Sequence, residues 1–449
     1  MASTRQSTPA TRTRTRLATA LAGAVLVLAS SAWAAEYRQQ EFDKRVKNSY
    51  RFTVSRVLAG EASLSAEEEA FTTYFGQVFA EMTRLENLGQ VAELRWSLYR
   101  QVREARDPAA LGRFNQLTLM AMQEVCRENY HPAVRYNAAL ILGDLDQELS
   151  TGYSPATKPV PLPEVVPVLV GFLGAEQMID AVKVAALVGL ERHARYDLPM
   201  PARQSVIEAM LALLRAKEPP KNRSAAGHHW MRQQAAQVLG TIADVGTDSQ
   251  VFRALVAVLA DQEAPLSLRC AAAHAVGDLK YGANTKVDAD GLVSQLGSLA
   301  IVTLQHEIAL AKKLRDQVAS ENEAGQPGGA RPETSSTAAP DAPHDEGVFP
   351  RRELAARMVC VRQGLDKIKA QADPQPKALA DQIIAKLDGV VQMVGDEQLG
   401  DEALMAGVAE IQTQIEAAVR PAQGAAPKEA EPPGQQQTEA RPPAKQTAG

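Results

Sequence analysis

The stretch HPAVRYNAALILGDLD, residues 131–146, and the stretch APLSLRCAAAHAVGDLK, residues 264–280, decide the fold class. Each runs from a Pro through an apolar residue and a base to small residues and a closing apolar pair. Val134-Arg135 leads to Ala138-Ala139 and Leu142-Gly143-Asp144-Leu145, and Leu268-Arg269 leads to Ala272-Ala273 and Val276-Gly277-Asp278-Leu279. Apolar residues recur in steps of three and four rather than alternating, which is the period of a helix and not of a strand. Two further segments repeat the pattern: Val182-Lys183 with Ala185-Ala186 and Gly189-Leu190, and Met231-Arg232 with Ala235-Ala236 and Leu239-Gly240-Thr241-Ile242. The glycine stands eight residues after the base in three copies and six after it in the copy at Lys183.

The last three copies each follow a simpler apolar helix: Val166-Leu169-Val170-Leu173, Ile207-Met210-Leu211-Leu214 and Phe252-Leu255-Val256-Leu259. All three keep an i, i+3, i+4, i+7 spacing, one face of a helix. The bases at 135, 183, 232 and 269 are 48, 49 and 37 residues apart, room for a pair of helices and its connections. Paired alanines let neighbouring helices approach closely. The glycines, late in their helices, suit close packing or a tight exit. The first-turn bases are expected to lay their stems on a neighbouring repeat while the charge reaches solvent or an Asp.

An apolar residue and Arg, paired alanines and Leu-Gly-x-Leu resemble the second helix of a HEAT repeat, including the variant called PBS-lyase-like. The resemblance covers residues 110–300 and extends more loosely to 420, where Leu354-Met358-Val361-Leu365 and Leu379-Ile383-Leu387-Val390 continue helical spacing. It implies an all-α chain, a right-handed α-solenoid of HEAT-like helix pairs over 110–320 with C-terminal helices over 349–420. Residues 35–109 lack the motif, although Phe75-Val78-Phe79-Met82 is helical, and are expected to cap the N-terminal end of the array.

The N-terminus reads as a secretory signal peptide, residues 1–34. Arg5, Arg12, Arg14 and Arg16 precede an apolar run from Leu17 to Ala29, and Ala32-Trp33-Ala34 has the A-x-A form of a cleavage site, with cleavage expected after Ala34 and, as second choice, after Ala35. The alternative is a retained anchor, for which the run is short against the ~20 residues a bilayer needs. Cleavage takes four arginines and no acid from a chain of formal charge −5, leaving −9. An acidic chain is a poor match to nucleic acid, whose recognition rests on clustered Lys and Arg. Nor does the rest of the sequence offer a span for stable membrane insertion. Three cysteines in 449 residues exclude a disulfide-framed scaffold. Cys126, Cys270 and Cys360 sit among apolar neighbours and read as buried small hydrophobes, a single bridge or a reactive thiol being the alternatives.

Residues 321–348, with six acids against Arg331 among Pro, Gly, Ser and Thr, read as a flexible linker, and residues 421–449 as a disordered tail. Between 290 and 320, Leu292, Leu296, Leu299, Val302, Ile308 and Leu314 outline a helix longer than a repeat needs. Its stripe fits a bundle with residues 350–420, or a coiled coil.

Motifs of catalysis and metal binding stop short. His306-Glu307 opens like a zincin helix, but position 310 is Leu. Asp288-Ala289-Asp290-Gly291 echoes a calcium loop, but Lys286 and Gly297 stand where the first Asp and the closing Glu belong. The segment therefore reads as a helix cap. No C-x-x-C, G-x-S-x-G, dinucleotide or P-loop pattern occurs, and no catalytic, cofactor or metal residue is assigned. The one unusual cluster is KNRSAAGHHW, residues 221–230. It reads either as a solvated connection or as a recognition loop, in which Trp230 anchors a partner while Lys221 and Arg223 meet its acids beside His228 and His229. Adjacent histidines on a helix diverge by about 100° and do not naturally share a metal.

The expectation is an exported, non-enzymatic scaffold, periplasmic or extracellular, that binds a protein or peptide over a wide helical surface. The alternatives are a structural part of an envelope or surface assembly, and a lyase-like enzyme suggested by the repeat resemblance alone.

Overall fold

The computed structural model describes residues 37–151, 157–196, 198–282, 287–324 and 350–423. The stretch read as a signal peptide, most of that read as a linker and nearly all of that read as a tail lie outside them. Among the described residues the chain is all-helical, with 75% helix and 1% strand, and it divides into two compact units, residues 1–238 and 239–449.

In the first unit, α1 (Lys44–Leu58), α2 (Glu68–Met82) and α3 (Val91–Val102) precede the repeats. Asp43 starts α1 by accepting from the Arg45 and Val46 amides, which would otherwise be unpaired at a helix start. The core here is aromatic. Phe71, Phe75 and Phe79 are buried, and the Phe75 ring lies 4.9 Å from both Phe71 and Phe114. Phe114 belongs to α4 (Pro108–Arg127), which packs on α5 (Pro132–Gly143). The start of α5 follows its sequence closely: Pro132 occupies the first turn and the His131 ring accepts from the Ala133 amide at 3.2 Å.

A short antiparallel ladder, β1 (Asp146–Glu148) with β2 (Val160–Pro161), follows α5 and pairs Asp146 with Pro161 and Glu148 with Val160. Periodicity gives no sign of it, because two and three residues are too few to alternate. The chain continues with α6 (Val165–Gly174), α7 (Asp180–Arg195), α8 (Ala202–Arg215) and α9 (Ala225–Ile242), whose last residues belong to the second unit. Packing joins α6 to α7, α6 to α8, and α5 to α7.

The paired alanines lie in the core: Ala138, Ala139, Ala185, Ala186, Ala235, Ala236, Ala272 and Ala273 are each at most 1% exposed. Glycine serves close helix packing rather than an exit. A Cβ built on Gly143 would stand 2.6 Å from the Gly189 Cα, and one on Gly189 would stand 2.9 Å from the Gly143 Cα. The displaced glycine of the second copy is therefore the partner of the first. Within the second unit, a Cβ on Gly240 would meet the Ala275 Cα at 2.9 Å.

The repeated bases differ from expectation in where their charge goes. Arg135 Nε donates to the Cys126 carbonyl at 3.0 Å, Arg232 Nε to Leu214 at 3.1 Å, and Arg269 Nε to Leu259 at 3.2 Å. Each acceptor is the penultimate residue of the helix preceding the base-bearing one. Last-turn carbonyls have no partner within their own helix and carry the negative end of its dipole. An arginine reaching back from the next helix satisfies both needs. Arg232 and Arg269 are consequently buried, at 3% and 7% exposure.

The second unit continues with α10 (Gln250–Ala260), α11 (Leu266–Asp278), α12 (Ala289–Ala324), α13 (Arg351–Ile368), α14 (Pro374–Gly395) and α15 (Asp401–Gln423). Helix α12 runs into the start of the stretch read as linker, and α15 into the start of the tail. Helix α10 packs on α11, α11 on α13, and α12 on α13, α14 and α15, so the long helix joins an intramolecular bundle. Leu292, Leu296 and Leu299 are buried in it, whereas Val302 is 41% exposed. A Cβ on Gly364 would fall 2.7 Å from the Ala273 carbonyl oxygen, again a helix pair in backbone contact.

Candidate functional site

Residues 221–230 divide between the interior and the surface. Arg223 turns inward and grips Asp180 on α7 through two hydrogen bonds, Nη2 to Oδ1 at 2.8 Å and Nε to Oδ2 at 3.0 Å. Its third nitrogen lies 3.2 Å from His228 Nδ1, and His228 Nε2 lies 2.6 Å from the Ala216 carbonyl oxygen. This chain ties the connection after α8 to the start of α7. His228 is 1% exposed, and burial, first, lowers its proton affinity. Arg223 and His228 are thus committed to their own chain. Lys221 and Trp230 are exposed and His229 half-buried; Trp230, at 38%, is among the exposed large apolar residues.

Arg223 and His228 also border a groove of about 540 Å³ between α6 and α8. Its floor is small and apolar, with Gly174, Ala209, Ala212 and Ala216, and its walls include Val170, Leu173, Lys183 and Met231. Sequence inspection of the loop alone does not reveal it, since the floor comes from the unremarkable α8.

A second groove, of about 420 Å³, lies among α3, α4, α7 and the segment after α5. Trp96, 59% exposed, and Tyr196 stand at its edge. Inside, Arg192 Nη2 donates to Asp146 Oδ1 at 2.6 Å and its Nε lies 3.6 Å from Asp144 Oδ1. Tyr99 donates its hydroxyl to Asp144 Oδ2 at 2.5 Å, and the Arg192 guanidinium sits 5.5 Å from the Tyr196 ring centre. Burial raises the Asp146 carboxyl while Arg192 opposes the shift. Burial and then Asp144 raise Tyr99 well above the usual phenol range. The group fixes neighbouring helices, with each charge answered by another. A signal for it exists in sequence: Gly-Asp closes both the first and the fourth motif, and Asp278 of the fourth likewise accepts from the next packed helix, from Gln363 Nε2 at 2.5 Å.

The incomplete motifs resolve structurally. Glu307 is wholly buried and meets Arg357, which also holds Glu353. Asp288 Oδ1 accepts from the Gly291 amide at 3.0 Å and Asp290 Oδ1 from the Asp373 amide at 3.2 Å, so both act as caps. The three cysteines are free, Cys126 and Cys270 buried and Cys360 partly so. Burial pushes their thiols up to about 12, 12 and 11, which leaves them protonated and unreactive. Among the described residues no group of three or more His, Cys, Asp or Glu side chains is placed to hold a metal, and no helix is long and apolar enough to cross a membrane.

Comparison with protein-family models, with curated proteins and with solved structures finds no match to the chain.

Proposed function

We propose that the chain is an exported, non-enzymatic scaffold built as a HEAT-like α-solenoid, which binds a protein or peptide partner through grooves between its helix pairs. The observation that carries this reading is the same hydrogen bond made three times, from Arg135, Arg232 and Arg269 to the end of the preceding helix. Equivalent residues doing equivalent work mark the pairs as modules of one repeated design, and such arrays offer surface rather than an enclosed reaction chamber. The two grooves and the exposed Trp96 and Trp230 supply what a partner needs, since aromatic anchors dominate interface energetics. In the groove lined by Arg192 the charged groups are engaged with one another, which suits binding better than proton transfer.

The test is affinity capture with residues 35–420 from an exported fraction, read by mass spectrometry. The expected result is repeated recovery of the same protein, reduced at least tenfold by a Trp230→Ala, Trp96→Ala double variant of unchanged melting temperature. Recovery of nothing above an empty matrix would remove the scaffold reading.

A further inference from the structure

Three of the four repeat bases are arginines bonded to the penultimate carbonyl of the preceding helix. The fourth is Lys183, and it breaks the pattern. The penultimate residue of α6 is Leu173, and Leu173 and Lys183 both line the groove between α6 and α8. Yet among the described residues the Lys183 ammonium makes no hydrogen bond or ion pair, although the residue is only 8% exposed. Asp180 and Glu176 act on it electrostatically, but Asp180 gives both carboxylate oxygens to Arg223. The stem of Lys183 is covered while its ammonium stays within reach of the groove. An arginine there would donate to the carbonyl instead, as it does in the other three copies. The rim acids Glu208 and Glu218 are exposed, and Glu208 already accepts from Gln204 at 2.8 Å. Of the two cations that line the groove, Arg223 is bonded to Asp180 and Lys183 is bonded to no acid, and the floor is apolar and short-chained.

We infer that this groove is a binding site for an acidic peptide segment, whose carboxylate pairs with Lys183 while its flanking apolar side chains lie on the floor formed by Ala209, Ala212 and Ala216. Lysine in place of arginine leaves the cation free for the ligand, and the glycine and alanines open the room beside it. About 540 Å³ lies within the range of small-ligand and peptide pockets. The chain as a whole is acidic, at −5, so retention of an acidic peptide cannot come from general attraction and must be local. The inference rests on the scaffold reading and names the ligand chemistry of one of its two grooves.

The immobilised full chain is challenged with a library of acetylated, amidated random hexapeptides, and the retained peptides are sequenced. Enrichment of Glu and Asp over Gln and Asn by at least tenfold is expected for the native protein. It should fall to twofold or less in Lys183→Met, in Lys183→Arg, which restores the carbonyl bond, and in Ala212→Trp, which fills the floor from an exposed position. Lys183→Arg should melt at the native temperature or above, so a folding defect is not the cause. No enrichment by the native chain, or enrichment that survives Lys183→Met, overturns the proposal. So does complete displacement of the peptides by an equal concentration of inorganic phosphate, which would mark a small-anion site. If the captured protein partner still binds Lys183→Arg, this groove falls while the scaffold stands. If acidic peptides are selected but no protein is captured, the scaffold reading fails and the groove stands.

Discussion

At the scale of the residue, Arg232 is a permanent charge held 3% exposed and bonded to the Leu214 carbonyl. Its removal strands a helix-end acceptor in the interior, so Arg232→Met should destabilise the fold by about 1–3 kcal/mol in urea unfolding. Arg269→Met, which strands the Leu259 carbonyl, should cost a similar amount. A second residue couples folding to pH. His193 on α7 is 2% exposed, and burial, then Arg192, push its imidazole down to about 4. The unfolded chain takes a proton near pH 6.5 that the folded chain refuses until about pH 4, so stability falls as the medium is acidified across that window and levels off below it. The loss attributable to this one group is up to about 3 kcal/mol. Melting curves from pH 7.5 to 4.5 should show it, and His193→Gln should flatten them. His274 has the opposite sign: its hydrogen bond to Asp278 raises its proton affinity, so its contribution is greatest in acid and fades as pH rises through the raised pKa.

At the scale of the element, what sets helix separation is the missing side chain at Gly143 and Gly189. A methyl at Gly143 meets backbone 2.6 Å away rather than a flexible chain end, so α5 and α7 must part. Gly143→Ala should lower stability by about 1–3 kcal/mol. Gly171, inside α6, has nothing within 4 Å of a built Cβ. There the same change should be neutral or stabilising by up to about 1 kcal/mol, because alanine is the better helix former. Thermal unfolding of the two variants side by side checks the contrast. The helices themselves were legible in sequence because their core faces keep a strict period and their paired alanines are almost wholly buried. Three things were not. The destination of the arginines depends on where the preceding helix ends, which no local pattern states. The division of KNRSAAGHHW between an inward Arg223–His228 latch and an exposed Trp230 turns on Asp180, which stands more than forty residues earlier. The groove floor is made of alanines on α8 that no residue-type search selects.

At the scale of the whole molecule, the reading of residues 1–34 as an export signal predicts a mature chain beginning at Ala35, which intact-mass measurement of the exported protein would show directly. Its formal charge of −9 predicts no salt-sensitive retention on DNA. The arginine-to-carbonyl bond has a consequence at this scale too. It is closed within a single pair of helices, donor on one and acceptor on the other, and borrows nothing from the pairs on either side. In the array we propose, a duplicated stretch of gene carrying one such pair would therefore bring its own fastening with it, and lengthening or shortening that array by whole pairs asks only that new neighbours offer a glycine to lean against.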